Sequence, residues 1–189
     1  MEKLLLVSFL MYGFVLTSSL KALDSNDDIK KKGDEIVQVS SQTLSKAVMQ
    51  AMAKGGVEHA AKFCNTAAYP LTDSLSSVYG VKIRRTSHQW RNPKNKPSKQ
   101  ERDLLVQFLT QQKNGQPLEA KIVQLNNNEW LYAKPILLQP QCQVCHGKLG
   151  ETVTAENYKI IKKLYPSDKA VGFVPGDIRG MWVLKFSNQ

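Results

Sequence analysis

The segment Pro140–Gly147, PQCQVCHG, contains two of the three cysteines of this 189-residue chain and a histidine directly after the second. The pattern Cys-x-x-Cys-His is the attachment motif of c-type haem. Two intervening residues allow Cys142 and Cys145 to form thioether bonds with two vinyl groups on the same side of the porphyrin. His146 then lies beneath the iron and supplies a neutral imidazole nitrogen, which is a good axial ligand. The segment therefore predicts one covalently attached haem c.

Three other interpretations of this segment compete with haem. The first is a structural disulfide between Cys142 and Cys145. The second is a thioredoxin-like redox pair, but such a pair opens a helix after a strand in a βαβ unit, and that order of elements is missing around the segment. The third is zinc, which takes four ligands, and the chain offers no second pair of metal-type residues to complete the set. Haem remains the favoured interpretation.

The N-terminal residues indicate export. A short charged start precedes an apolar run over residues 4–16, and small polar residues follow, which is the layout of a signal peptide. We expect a signal peptide over residues 1–22 with cleavage after Ala22, although Leu20 is not the small residue usual at its position. The apolar run is shorter than the roughly 20 residues of a membrane-spanning helix, so an uncleaved anchor is the weaker alternative. The mature protein is predicted to be periplasmic.

Export limits how the cysteines can pair and which molecules the protein can bind. In an oxidising compartment three cysteines cannot all pair internally, so Cys64 requires a partner chain, a ligand or burial. The formal charge of +10 comes from lysines dispersed along the chain, which favours a solvated basic surface over a docking patch. Nucleic acid is not an expected partner of an exported protein.

Hydrophobic periodicity predicts helices in the first half of the chain. A long helix over residues 26–54 ends at two glycines, and a second helix runs from Val57 until Gly80 with a kink at Pro70. Cys64 lies near the middle of the apolar stripe of this second helix. The stripe consists of Val57, Ala60, Ala61, Cys64, Ala68, Leu71, Leu75 and Val78.

The second half of the chain combines strands with shorter helices. Ser98 and Glu101 form a capping box that begins a helix ending near Lys113, and another short helix is expected around residues 155–164. Four strands are predicted, over residues 81–86, 120–125, 130–138 and 177–186. The second and third of these strands form a hairpin. Pro135 indicates that its strand lies at an edge of the sheet or ends there. This order of elements predicts an α+β fold with a mainly antiparallel sheet.

An iron bound by His146 has a second axial position. The candidates for it are Cys64, His59, His88, Met49, Met52 and Met181. Methionines commonly fill cores, His59 lies off the apolar stripe, and His88 belongs to a polar loop. Cys64 combines an unpaired thiol with an apolar helix face, but a buried and inert cysteine is also common. The residues alone leave the identity of this ligand open.

Several segments, in the same order, resemble a known family. They are AAKFCNTAAYPL at 60–71, VKIRRTSHQWRNPKNKP at 81–97, WLYAKPILL at 130–138, CQVCHG at 142–147 and YPSDKAVGFVPGDIRGMWV at 165–183. From about Val57 onward the chain resembles the PAS-like c-type haem domains, long catalogued as a domain of unknown function and typified by a cyanobacterial haem protein with cysteine and histidine ligation. The resemblance suggests a domain at 57–189, preceded by a helical segment at 23–56.

The resemblance implies a PAS-like fold, in which helices flank an antiparallel sheet and haem occupies the pocket. It also implies that His146 and Cys64 are the two axial ligands. It further implies that Arg85 and Arg91 lie near the haem, where a guanidinium group suits a propionate carboxylate. One departure is the histidine at position 88, which the family lacks, so His88 stays as a minor rival ligand.

These features predict a haem-binding redox protein that is not an enzyme. Thiolate ligation stabilises ferric iron and lowers the potential, which suits a low-potential redox role or the sensing of redox state or of a small diatomic gas. A plain periplasmic electron-transfer cytochrome is the first alternative. A peroxidase-like enzyme is the second, although the isolated His59 and His88 form no acid–base pair. An unidentified redox or signalling protein is the expected partner, and the long N-terminal helix also suits a homodimer.

Overall fold

The computed structural model describes residues 26–187. The predicted signal peptide therefore lies outside the described residues. Within the described part of the chain, no helix is both long enough and apolar enough to cross a membrane.

The first helix consists of two arms. This helix, α1, covers Asn26–Thr66, but its backbone leaves helical geometry at Gly55 and again at Gly56, where φ is 60° and ψ is −152°. Glycine adopts this conformation without the steric cost that a Cβ atom would impose. The two glycines therefore divide α1 into a first arm and a second arm, as the sequence predicts.

The predicted kink lies just before Pro70. Helix α1 ends at Thr66 and helix α2 covers Ala68–Tyr79, so Ala67 separates the two helices. Pro70 has no N–H to donate to the carbonyl group four residues earlier, and its ring crowds that carbonyl, so the break forms there. The predicted apolar stripe does not extend to the end of α2, because Val78 is 77% exposed.

Four antiparallel strands form one sheet in the order β1-β4-β3-β2. They cover Lys82–Thr86 (β1), Lys121–Asn126 (β2), Glu129–Leu137 (β3) and Ile178–Ser187 (β4). The prediction that the strand of Pro135 lies at an edge is wrong, because β3 has β4 on one side and β2 on the other. Pro135 is tolerated because pairing with β2 ends at Ala133, so the strand has only one neighbour at the proline.

Three shorter helices complete the fold. Helix α3 (Lys99–Lys113) begins with the predicted capping box, in which Ser98 Oγ accepts from the N–H of Glu101 and the Glu101 carboxylate accepts from the N–H of Ser98. Helix α4 covers Gln143–His146 and α5 covers Ala155–Leu164. Single 3-10 turns cover Pro93–Asn95 and Pro140–Cys142. Helix α4 was not predicted, because four residues are too few to show a periodicity.

Helices cover both faces of the sheet. On one face, Ile36 in the first arm of α1 packs in a buried cluster with Trp182 of β4. On the other face, Phe108 of α3 packs with Val183, the next residue of β4. Successive side chains of a strand point to opposite faces, which explains why β4 contributes to both clusters. The first arm of α1 thus shares the core of the sheet, and the predicted α+β fold with a long N-terminal helix is confirmed.

Candidate functional site

The residues that the sequence singles out line one cavity of about 290 Å³. They are Cys64, Arg85, Arg91, Cys142, Cys145 and His146. Both arms of α1 contribute to the wall, and the first arm supplies a mostly apolar strip of Leu44, Ser45, Val48, Met49 and Met52. Residues that are far apart in the sequence therefore meet around one space with an apolar side and a charged side.

The segment Pro140–Gly147 forms a compact hook. The 3-10 turn Pro140–Cys142 leads directly into α4, so Cys142 and Cys145 stand three residues apart along one helical face. Both cysteines are free thiols and both line the cavity. Burial raises the pKa of Cys145, and the charge of Arg91 counteracts part of that rise. The hook presents two unbridged thiols to the same space.

Gly147 allows the hook to close. Its N–H donates to the carbonyl oxygen of Gln143 at 2.8 Å. A Cβ atom at Gly147 would lie 2.7 Å from that oxygen and would clash with the side chain of Thr152. The glycine is required by this close approach, since its φ of −76° is open to any residue.

Residues 168–173 hold the hook through Arg91. Nε of Arg91 donates to the carboxylate of Asp168 at 3.0 Å, and one terminal nitrogen donates to the carbonyl oxygens of Cys145 and Ala170. The carboxylate also accepts from the N–H of Ala170 at 2.9 Å. The side chain of Asp168 is 0% exposed and that of Arg91 is 11% exposed, so water hardly screens the ion pair. The guanidinium of Arg91 thus joins the hook to residues 168–173.

His146 is held as a neutral imidazole. Its carbonyl oxygen accepts from the N–H of Phe173 at 3.0 Å, and its Nδ1 lies 2.8 Å from the carbonyl oxygen of Ala170. Burial lowers the pKa of His146 well below its ordinary value, and the charges of Arg91 and Arg179 lower it further. A neutral ring beside a carbonyl acceptor carries its proton on Nδ1, which leaves the lone pair of Nε2 for a metal.

Three arginines make one side of the cavity electropositive. Arg91 is neutralised by Asp168, whereas Arg85 and Arg179 form no ion pair within residues 26–187. The guanidinium of Arg85 lies 5.6 Å from the ring centroid of Trp182. Burial lowers the pKa of Arg85, and it lowers the pKa of Arg179 to about 9. Two enclosed cations without a carboxylate indicate a cavity suited to an anionic ligand.

Cys64 lies on the second arm of α1, one turn after Ala60 and Ala61, which also line the cavity. Burial raises the pKa of the Cys64 thiol, and the nearby charges of the three arginines of the cavity counteract only part of this effect. The thiol is free. It therefore remains protonated until a metal or another cation stabilises its anion.

The rival ligands are separated by the structure. Met49 and Met52 line the cavity, on the first arm of α1. Met181 is fully buried in the core of the sheet. His59 is exposed, and neither His59 nor His88 is part of the cavity wall. Within residues 26–187, no group of three or more His, Cys, Asp or Glu side chains has the arrangement of a metal site.

A larger groove of about 570 Å³ lies between α2 and β1. None of the cysteines or histidines of the described chain lines it. It adjoins the first cavity through Tyr69, Arg85 and Asn95, which line both spaces, and the hydroxyl of Tyr69 donates to the side-chain oxygen of Asn95 at 2.7 Å. The three cysteines and His146 thus line the smaller cavity and not the groove.

Sequence analysis did not single out Asp168, Ala170 or Arg179. All three lie in the segment 165–183 that carries the family resemblance. Ala170 acts through its backbone carbonyl, for which the sequence contains no signal. Arg179 has a signal in retrospect, because it interrupts an otherwise apolar strand in the stretch IRGMWV.

The chain is similar to known proteins over most of its length. The profile of the Tll0287-like family matches residues 19–187. No curated protein matches the chain. Among solved structures, that of the cyanobacterial heme-protein Tll0287 matches with a TM-score of 0.58 and 23% identity, and the match covers 87% of this chain and 99% of that chain. At this identity the likeness shows a shared fold. The family match begins well before Val57, so it includes the first arm of α1.

Proposed function

Since the chain belongs to the Tll0287-like family, we propose that it is a c-type haem protein that carries one covalently attached haem. The similar solved structure is that of a heme-protein. One observation carries the proposal: Cys142, Cys145 and His146 line the same cavity as Cys64. A structural disulfide would account neither for the neutral imidazole nor for the enclosed cations on the wall of that cavity.

Six side chains of the cavity have a role in this proposal. Cys142 and Cys145 would hold the porphyrin through their sulfurs, and Nε2 of His146 would bind the iron. Cys64 is the proposed second axial ligand. Arg85 is the proposed partner of a propionate, because its guanidinium is enclosed and makes no hydrogen bond within the described chain. Arg91 is already committed to Asp168 and to backbone carbonyls, so its proposed contribution is mainly to hold the hook.

The ligands define the redox role. A bound haem supplies one-electron chemistry, and an anionic sulfur ligand shifts it toward low potential. We propose a low-potential redox protein in which Cys64 responds to the oxidation state. Because the second arm of α1 carries Cys64, a change at the thiol is transmitted to a helix, which suits sensing of redox state or of a small diatomic gas. Plain electron transfer is the alternative, and it is favoured if Cys64 stays bound in both oxidation states.

The protein is proposed to act in the periplasm and to lack catalytic activity of its own. Its first residues have the layout of a signal peptide, and thioether attachment of haem takes place after export. An unidentified redox or signalling protein is the proposed partner. A homodimer through the long N-terminal helix is compatible with the same proposal.

The test is to produce the exported protein in cells that mature c-type cytochromes and to stain a denaturing gel for haem. We expect haem to stay with the wild-type chain and to be lost from the double variant Cys142→Ala/Cys145→Ala. Cys64→Ser is the matched control, because it removes the third thiol and should keep the stain. A wild-type band without haem would contradict the proposal.

Axial ligation is tested separately by low-temperature EPR of the ferric protein. We expect a low-spin thiolate-type signal in the wild type and its disappearance in Cys64→Ser. If the signal persists in Cys64→Ser, then Cys64 is a core thiol, and Met49 and Met52 become the candidates because they line the cavity.

A further inference from the structure

Arg179 contacts the imidazole of His146. Its Nε lies 3.3 Å from Nδ1 of His146, and one terminal nitrogen donates to Ser87 Oγ at 2.8 Å and to the carbonyl oxygen of Gln89 at 3.1 Å. The guanidinium also lies 5.3 Å from the ring centroid of Phe173. Contacts with two other segments therefore fix this cation beside the histidine of the hook.

Two groups approach the same nitrogen of His146. Nδ1 lies 2.8 Å from the carbonyl oxygen of Ala170, which requires Nδ1 to donate, and 3.3 Å from Nε of Arg179, which requires it to accept. A neutral imidazole nitrogen satisfies only one of these partners. The shorter contact identifies Ala170 as the hydrogen-bond partner. Arg179 therefore acts on the imidazole through its charge and not by donating a hydrogen bond to it.

The carbonyl oxygen of Ala170 is shared. It accepts from a terminal nitrogen of Arg91 at 3.1 Å as well as facing His146. A carbonyl oxygen that already accepts a hydrogen bond from a cation is a weaker acceptor for the Nδ1–H group of His146. Both arginines thus keep the imidazole from acquiring anionic character, which would favour ferric iron.

Within residues 26–187, Arg179 has no ion-pair partner of its own, because Asp168, whose charge acts on it, is paired with Arg91. An enclosed cation on the histidine side opposes the additional positive charge of ferric iron, because the low dielectric strengthens the repulsion. This cation therefore raises the reduction potential, whereas an anionic sulfur ligand lowers it.

We propose that Arg179, held beside His146 by Ser87 and Gln89, raises the reduction potential of the bound haem by its charge. This inference rests on the proposed function and deepens it. It assigns to Arg179 the task of limiting how far thiolate ligation lowers the potential. A purely structural role would affect folding or haem content, but it would not make the potential depend on the charge of residue 179.

The test compares the midpoint potentials of the holoprotein in the wild type, Arg179→Gln and Arg179→Lys by spectroelectrochemistry. We expect Arg179→Gln to raise the ferric-to-ferrous ratio at a fixed potential at least tenfold, which is a fall of about 59 mV in midpoint. Arg179→Lys should stay close to the wild type because it keeps the charge. Lys82→Gln is the matched control, since it removes one exposed positive charge from β1 and should leave the ratio within about twofold.

Two outcomes overturn the inference: equal potentials in Arg179→Gln and the wild type, or an equal fall in Arg179→Lys and Arg179→Gln. If Arg179→Gln yields no holoprotein, Arg179→Met takes its place, because it also removes the positive charge while keeping a long side chain at position 179. We then expect a fall in the same direction, and an unchanged potential overturns the inference.

The inference and the proposed function fail in different ways. A wild-type chain without covalent haem removes the proposed function. A wild-type chain that carries haem but whose potential ignores residue 179 removes only the inference. In the apoprotein, side-chain ¹⁵N NMR gives a readout that needs no haem: we expect the His146 tautomer with its proton on Nδ1, and a proton on Nε2 would overturn the assignment of Ala170 as its partner.

Discussion

Replacing Asp168 with alanine should disrupt the attachment of the hook. Asp168 has no exposed side-chain surface, and its carboxylate accepts from Arg91 at 3.0 Å and from the N–H of Ala170 at 2.9 Å. Arg91 in turn donates to the carbonyl oxygen of Cys145. Asp168→Ala therefore leaves the guanidinium of Arg91 enclosed without an anion and frees the segment that holds the two thiols.

The size of the effect follows from burial. Removing one partner of a buried ion pair costs about 3–5 kcal/mol, because the remaining charge loses both its partner and its access to water. We expect a loss of this size in the free energy of unfolding. With a urea dependence of roughly 2 kcal/mol per molar, the unfolding midpoint should fall by about 1.5–2.5 M.

The assay is urea unfolding followed by circular dichroism at neutral pH. Asp168→Asn is the conservative comparison, because it keeps one acceptor oxygen and the shape of the side chain, and its loss should be smaller. Glu58→Ala is the control for surface pairs, since Glu58 and Lys62 are 56% and 58% exposed, and it should not shift the midpoint measurably. A midpoint of Asp168→Ala within roughly 0.5 M of the wild type would refute the argument, because it would mean that water or another anion replaces the carboxylate.

The same variant has a functional consequence. Arg91 fixes the carbonyl of Cys145, and Ala170 fixes the imidazole of His146. With Asp168 removed, both supports loosen. We expect a lower yield of covalent haem per folded chain, measured by haem absorbance relative to protein. An unchanged yield would show that the hook reaches its conformation without residues 168–173.

Three further predictions concern stability. Gly147→Ala should destabilise the fold by about 1–3 kcal/mol in thermal unfolding, because its Cβ clashes with the side chain of Thr152, and adding Thr152→Ala should recover part of the loss. Burial raises the pKa of Asp34, but hydrogen bonds led by that from Lys134 lower it by more, so the pKa lies below its ordinary value. The contribution of Asp34 to the free energy of unfolding is therefore fully present above about pH 4 and is lost as the pH falls below it. Asp34→Asn should flatten this acid dependence of the urea midpoint, and an unchanged dependence would contradict the assignment. Val78→Ala should alter the melting temperature little, because Val78 is 77% exposed, and a large fall would show that it is covered in solution.

Local chemistry in the sequence predicted most of the secondary structure. The capping box at Ser98 begins α3 because the two reciprocal hydrogen bonds involve residues only three positions apart. The two glycines after residue 54 interrupt α1 because one of them adopts a backbone conformation that side chains disfavour. The turn of the β2–β3 hairpin has an equally local cause. Signals of this kind do not depend on the rest of the fold.

Sequence reasoning failed where a residue's environment comes from distant parts of the chain. Pro135 predicts that its strand lies at an edge or ends there, yet β3 lies between two neighbours in the sheet and continues to Leu137, because the order of strands is set by contacts with distant segments. Val78 continues the apolar periodicity of its helix, yet it is exposed, because the end of α2 packs on the core through Leu75 and Tyr79 and not through the side that carries Val78. A periodicity indicates which face of a helix is apolar but not how far its neighbours extend.

For the candidate site, the sequence by itself determined the spacing of Cys142, Cys145 and His146, from which the haem chemistry is predicted, because that spacing is a property of contiguous residues. It also identified Cys64 as a thiol that required an explanation. Only the tertiary structure decided that Cys64 shares their cavity, while His59 and His88 lie outside its wall. It alone showed Arg179 beside the imidazole of His146, 33 positions away along the chain. Such contacts form between segments joined by folding, and no local pattern encodes the distance between them.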